Sequence, residues 1–210
     1  MEFNRKSTIT KDDVRVSKRL SWLLRHGALN EGLHLSTEGF IPLQQILESK
    51  GFESVSISDI ERIVLNNDKQ RFTLRTSETG ILEIKANQGH SIDVRRLELT
   101  PLTDPKKVQN VIHGTYFQFW KCIKKEGLFR GKRMHIHFSE HLPGAKNISG
   151  IRASAEIFIY VDLAKALSQG LKFYISPNNV ILSPGNEQGY VKPDYFMKVC
   201  RASDGHLVDV

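Results

Sequence analysis

"RFTLRTSETGILEIKA", residues 71 to 86, is the stretch on which the reading of the fold turns. Apolar and polar residues alternate through "RFTLRT" and again through "ILEIKA", the period of two that a half-buried strand shows. "SETG" supplies turn residues between them, so the stretch reads as a hairpin. Three helical patterns precede it. The first begins near Thr10, whose hydroxyl can cap the helix while Asp12 and Asp13 favour its positive end. Val16, Leu20, Leu23 and Leu24 form its apolar stripe, and at about 100° per residue Arg25 falls on the far side with Lys18, Ser21 and Trp22. Arg25 is therefore expected to face outward where "LSWLLRHG", residues 20 to 27, ends. "IPLQQILESKG" reads as a second helix stopped by Gly51. "SDIERIVLNND" reads as a third, opened by a capping box of Ser58 and Glu61.

Three helices followed by a hairpin resemble a winged helix, a fold that often meets nucleic acid. This gives a first lobe over residues 10–98. "LTPLTDPKKV" holds Pro101 and Pro105 without apolar periodicity, and reads as a linker over 99–108. The second half alternates strands ("NVIHGTYF", "RMHIHFS", "AEIFIYVDL", "KFYIS", "NNVILS") with two helices, "FQFWKCIKKEG" and "AKALSQG". That is a β-rich lobe over 109–200, and the chain as a whole is α+β with two lobes. Residues 1–9 and the tail after Lys198 lack clear periodicity and are expected to be mobile.

The 210 residues carry a net charge of +7, which favours an anionic partner. No run of about 18 apolar residues exists, so a membrane span is excluded, and no signal peptide is expected. Two cysteines, Cys122 and Cys200, are too few for a disulfide scaffold. They fit a reducing compartment, cytoplasmic or nuclear. The chain is expected to act as a monomer.

Neither G-x-G-x-x-G nor G-x-x-x-x-G-K-[ST] occurs. His135, His137 and His141 lie close together, but no cysteine or second histidine pair stands at zinc-like spacing, so no metal is expected. No G-x-S-x-G marks a nucleophile. What stands out is a set of cations with histidine: Arg25 and His26, Lys69 and Arg71, Arg130 and Arg133. Guanidinium forks grip phosphate oxygens bidentately, and a neighbouring histidine can donate a hydrogen bond or move a proton.

"SKRLSWLLRHG", "STEGFIPLQQIL", "NDKQRF", "ANQGHS", "IHGT", "HIHFS", "SGIR" and "NNVILSPGNEQGY" follow one another in the order that marks one family. On these motifs, over roughly residues 14–197, the chain resembles the NAD-dependent RNA 2′-phosphotransferases. The resemblance implies a winged-helix lobe for RNA and an ADP-ribosyltransferase-like lobe for NAD, consumed as co-substrate. It implies that an internal 2′-phosphate of RNA, of tRNA in particular, attacks C1″ of the nicotinamide ribose. The 2″-hydroxyl then attacks phosphorus, leaving 2′-hydroxyl RNA and ADP-ribose 1″,2″-cyclic phosphate. Carried over, the catalytic set is Arg25, His26, Arg71 and Arg133. The cofactor positions are His113, Gly114, Thr115, His137, Ser139, Arg152 and Val180, the last standing where many ADP-ribosyltransferases have a catalytic glutamate. Lys18, Lys69, Lys85, Gln88, His90 and Ser91 are the expected RNA-binding residues. Lys85 departs from the family's common arginine and loses the guanidinium fork.

Two other readings stay open. One is an ADP-ribosyltransferase that stops after the first step on phosphorylated nucleic-acid ends. The other is a catalytically silent RNA-binding module.

Overall fold

The computed structural model describes residues 9–144 and 150–208. The chain divides into two compact units with the boundary between Glu98 and Leu99. It is a mixed α+β protein.

In the first unit, Thr10 caps α1 (Lys11–Trp22). Its hydroxyl accepts from Asp13 N at 3.1 Å, and the Asp13 carboxylate accepts from Thr10 N at 2.8 Å. Thr10→Ala is expected to cost about 1 kcal/mol of stability, read from chemical denaturation. After Trp22 the helix widens into a single π turn, Leu23–Gly27, in which Ala28 N reaches back five residues to Leu23 O at 2.9 Å. Gly27 permits this turn: the Trp22 ring lies where a Cβ on residue 27 would stand.

β1 (Ile41–Pro42), α2 (Leu43–Leu47), α3 (Ile57–Leu65), β2 (Phe72–Thr76) and β3 (Leu82–Ala86) follow. The hairpin forms as its alternation requires, from Phe72↔Ala86 to Thr76↔Leu82, and Ser77 N closes it on Ile81 O at 2.8 Å. β1 adds to β3, giving an antiparallel sheet in the order β1-β3-β2. Leu20, Leu23, Leu24, Ile41, Ile46, Phe52, Ile60, Phe72 and Ile84 bury against one another as its core.

The cap of α3 corrects the sequence reading. The box is made by Ser56 and Asp59, not Ser58 and Glu61: Asp59 N donates to Ser56 Oγ at 3.2 Å and Ser56 N to the Asp59 carboxylate at 3.0 Å. Ser58 lies inside the helix. Arg62 then joins Asp59 (2.7 Å) to Asp13 (2.6 Å), tying α3 to α1. The Ser56 hydroxyl and amide, then Arg62, hold the Asp59 carboxyl down to about 2. The Thr10 amide and Arg62 lower that of Asp13. Both groups are more acidic folded than unfolded, so their contribution is complete above the unfolded value of 3.8 and is lost as pH falls toward about 2. The melting temperature is expected to drop across that window, and Asp59→Asn to make the drop shallower.

The second unit contains β4 (Thr100–Pro101), β5 (Ile112–Thr115), α4 (Phe117–Glu126), β6 (Leu128–Phe129), β7 (Ile136–Phe138), β8 (Ile157–Val161), α5 (Leu163–Ser168), β9 (Tyr174–Ile175), β10 (Ile181–Ser183), β11 (Tyr190–Val191) and β12 (Phe196–Arg201). One sheet runs β4-β9-β10-β7 and another β12-β8-β5, with β6 and β11 paired separately. Ile112 and Ser139 exchange backbone hydrogen bonds at 2.9 and 2.8 Å, which stitches the start of β5 to the residue after β7. Leu128, Phe138, Ile157, Ile159, Phe173, Ile181 and Val199 are at the centre of the core.

The stretch 99–108 carries structure of its own: Thr100–Pro101 pairs with β9 and Leu102 is buried. The tail after Lys198 is not loose: β12 continues to Arg201 beside β8, and Cys200 pairs with Leu207. Residues 1–8 lie outside the described residues.

Candidate functional site

In the first unit Arg25 lies within the π turn. Widening one turn rotates every later side chain relative to an ideal helix, and such turns recur at functional sites. Arg25 shares the face of Lys18 and Ser21, as the 100° period predicts, but that face is the wall of a cavity rather than open surface. It is half-buried, with Nε and Nη2 hidden from solvent. Its guanidinium lies over Gly89, where a Cβ would stand 3.3 Å from Nε and 3.4 Å from Cζ. The carbonyl of Arg25 accepts from Ser91 N at 2.9 Å, and the Ser91 hydroxyl is 2.8 Å from Nδ1 of His26. The "GHS" of "ANQGHS" thus braces the "RH" of "LLRHG" from below.

Arg71 is held from both sides of its backbone. Its amide donates to Asn67 Oδ1 at 3.1 Å and its Nη1 to the same oxygen at 3.3 Å. Its carbonyl accepts from Asn87 N at 2.9 Å. Asn87 also donates to Gln70 O at 2.7 Å, while Thr73 donates to Asn87 Oδ1 at 2.6 Å. Gln70 has φ 42°, a left-handed conformation uncommon outside glycine. The Asn87 clamp offsets that strain. Burial lowers the Arg71 pKa from its ordinary value, yet a guanidinium stays charged at any working pH.

Lys18, Arg25, Lys69 and Arg71 line one cavity of about 510 Å³ with Ser17, Ser21, Val14 and Ile63. Asp13, Asp68 and Arg62 also reach it, but Asp13 and Arg62 pair with each other. Five cations and two carboxylates thus surround a volume suited to a small ligand. A concave wall of guanidinium and ammonium groups concentrates anions, phosphates above all.

The second unit carries its own group of polar side chains. His113, on β5, places Nδ1 2.9 Å from the carbonyl of His137. Burial lowers its pKa, against the hydrogen bond and with help from the Arg133 charge, so the ring is neutral at pH 7. A carbonyl only accepts, so Nδ1 carries the proton and Nε2 presents a lone pair to a hydroxyl donor. Arg133 has an exposed side chain, yet crowding by protein and then the charge of Arg152 lower its pKa. Arg152 in turn reaches Tyr116, whose hydroxyl sits 2.9 Å from Ser154 Oγ. Ser154 and then Arg152 pull that hydroxyl below its ordinary pKa. Two like charges in one place are relieved by an anion.

Several expected side chains are turned away from solvent. Lys85 and His90 are 3% and 1% exposed. Lys85 bonds Glu98 at 3.0 Å, and its ammonium lies 4.6 Å from the Phe40 ring. Lys18 and Ser91 are exposed, and Lys69 and Gln88 half-buried. Ser139 is spent on its own turn: its hydroxyl donates to His141 O at 2.8 Å. Val180 is 2% exposed and Thr115 5%. Gly114 packs against Ile151, where a Cβ would collide. Within "SGIR", Ser149 lies outside the described residues. Among the described residues no group of three His, Cys, Asp or Glu is placed to hold a metal ion, and no helix is long and apolar enough to cross a membrane.

Asn67 and Asn87 were missed as site residues. Their signal lay inside "NDKQRF" and "ANQGHS", which hold the residues that clamp Arg71 and seat Arg25.

The chain is matched over residues 11–185 by the model of one protein family, described as RNA 2′-phosphotransferase, Tpt1/KptA family. The chain belongs to that family. RNA 2′-phosphotransferases are enzymes, and removal of a 2′-phosphate from RNA is the activity that this family and its relatives' names describe. The chain is 47% identical to tRNA 2′-phosphotransferase 1 of Mus musculus over 188 residues, 88% of this chain and 75% of the mouse protein. The Danio rerio protein of the same name is 44% identical over 90% of this chain and 86% of its own length. The tRNA 2′-phosphotransferase of Saccharomyces cerevisiae is 39% identical over 82% and 79%.

Proposed function

We propose that this RNA 2′-phosphotransferase moves an internal 2′-phosphate from RNA, spliced tRNA in particular, onto NAD. The observation that carries the reading is the cavity lined by Lys18, Arg25, Lys69 and Arg71, in a chain of this family. The helices followed by the β2–β3 hairpin support the winged-helix reading of the first unit. The ADP-ribosyltransferase-like reading of the second rests on "HGT" and its order among the motifs.

In the first step a 2′-phosphate oxygen bonds to C1″ of the nicotinamide ribose, and the C–N bond breaks with its electron pair leaving on nicotinamide. In the second, the 2″-hydroxyl attacks phosphorus, losing its proton. The P–O bond to the RNA breaks, and the RNA 2′-oxygen takes a proton. Both nucleophiles come from the substrates, so the protein supplies position and charge. Arg25 and Arg71 grip the phosphate bidentately, and Arg133 steadies the charge on pentacoordinate phosphorus. His26, oriented by Ser91, serves the proton that the second step moves.

The residues of the second unit fit NAD by their chemistry. Nε2 of neutral His113 accepts from a ribose hydroxyl, while Arg152 answers a pyrophosphate. The enzyme works as a monomer in a reducing compartment, cytoplasmic or nuclear, where Cys122 and Cys200 stay free thiols. The test is nicotinamide release: it is expected with 2′-phosphorylated RNA and not with the same RNA bearing a 2′-hydroxyl. Release that ignores the 2′-phosphate would sink the proposal.

A further inference from the structure

The chemistry above leaves Phe129 and Tyr190 without a task, although Tyr190 closes the last motif, "NNVILSPGNEQGY". The two rings face each other across the β6–β11 ladder, in register, with centroids 4.5 Å apart and planes inclined by 20°. A cross-strand aromatic pair helps a short ladder form, and that alone would favour burial. Phe129 is instead 54% exposed. A stacked pair with an open outer ring is a surface made for another flat ring.

Charge surrounds this surface in a telling way. β6 and β11 run antiparallel, so Arg130 and Lys132 lie past one end of the ring pair and Lys192 past the other. Lys192 is exposed, and its ammonium sits 4.8 Å from the Tyr190 centroid. Glu187 is the acidic residue on the facing turn. Cations at both ends of an aromatic platform suit a strand that enters, stacks one base and leaves, with a phosphate on each side. The platform is also joined to Arg133. Arg130 N donates to Gly189 O at 3.0 Å, its Nη1 donates to Arg133 O at 2.7 Å, and Arg133 N returns to Arg130 O at 3.3 Å. One tight turn therefore holds both the open ring and the arginine assigned to the phosphate.

We infer that Phe129, backed by Tyr190, is a stacking platform for a base of the RNA strand adjoining the 2′-phosphorylated nucleotide, with Lys132 and Lys192 on the neighbouring phosphates. The inference rests on the reading of Arg133 as a phosphate group's partner, and its primary readout, quenching, does not depend on turnover.

The experiment uses the full chain and a short RNA with one internal 2′-phosphate and a 2-aminopurine beside it. Stacking quenches 2-aminopurine, so quenching gives both contact and Kd without catalysis. Phe129→Leu is expected to abolish the quench and raise Kd about tenfold, within the range of one lost base–aromatic stack. Phe129→Trp is expected to restore both, and the KM for NAD to stay constant throughout. Unchanged quenching and Kd in Phe129→Leu would overturn the inference. So would a rise in KM for NAD alone, which would assign the ring to the adenine of NAD. A loss that Phe129→Trp does not restore would mark the ring as a fold element and equally overturn it. Failure of the transfer reaction itself shows separately, as wild-type protein that binds this RNA but releases no nicotinamide.

Discussion

Arg71→Ala is expected to stall the reaction between its two steps, so that 2′-phospho-ADP-ribosylated RNA accumulates while cyclic phosphate does not form. The second step crowds negative charge onto pentacoordinate phosphorus, where a fixed guanidinium contributes most. Loss of one such donor costs about 10²–10³ in rate. Asn67 and Asn87 hold Arg71 by its amide, its Nη1 and its carbonyl, so the geometry is set before substrate arrives. Arg71→Lys keeps the charge but not the fork, and is expected to recover only part of the loss. The assay is separation of labelled RNA species after a single turnover. Unchanged turnover in Arg71→Ala would remove this residue from the mechanism.

Gly89→Ala is expected to disable the enzyme with little direct chemistry at position 89. Gly89 has φ +91°, where an L side chain is strained by roughly 1–2 kcal/mol. The added methyl would also press on the Arg25 guanidinium at 3.3–3.4 Å, closer than ordinary van der Waals contact. Displacing a phosphate-gripping fork by even about 1 Å costs on the order of 10²-fold. The melting temperature should fall modestly while kcat falls far more. If both fell in proportion, the effect would be one of stability, and the seating of Arg25 by Gly89 would be wrong. Gly80, at the tip of the β2–β3 turn with nothing within 4 Å, is the control: Gly80→Ala strains the backbone and leaves the cavity alone.

The fold was legible wherever one local rule acts alone. Alternation and "SETG" located the hairpin, Thr10 the first cap, and Gly127 the end of α4, because each depends on neighbours within a few residues. Errors came where two rules compete or where distant chain decides. Ser58 with Glu61 and Ser56 with Asp59 satisfy the same spacing, and the second pair won because the Asp59 carboxylate also meets Arg62. Arg25 falls on the side that the period gave, with Lys18 and Ser21, but its burial there comes from the cavity and from Gly89, which helical spacing does not show. Lys85 looked like a surface cation, and only Phe40 and Glu98, far from it in sequence, show why it is buried. β12 carries no clean alternation and owes its pairing to β8.

For the site, residue chemistry named the cations and the ordered motifs named the family, but neither revealed the residues that position them. An asparagine clamp is invisible until Gln70 O, Arg71 O and Asn87 come together. The same holds for the neutral ring of His113, whose tautomer follows from the His137 carbonyl.

The central claim is that the 2′-phosphate of RNA ends on NAD-derived ribose. The most direct measurement gives the protein a short RNA whose single internal 2′-phosphate is radiolabelled, with and without NAD, and separates the products. The account predicts that label moves to ADP-ribose 1″,2″-cyclic phosphate only when NAD is present. Label released as inorganic phosphate, transferred without NAD, or held on the RNA throughout would contradict it.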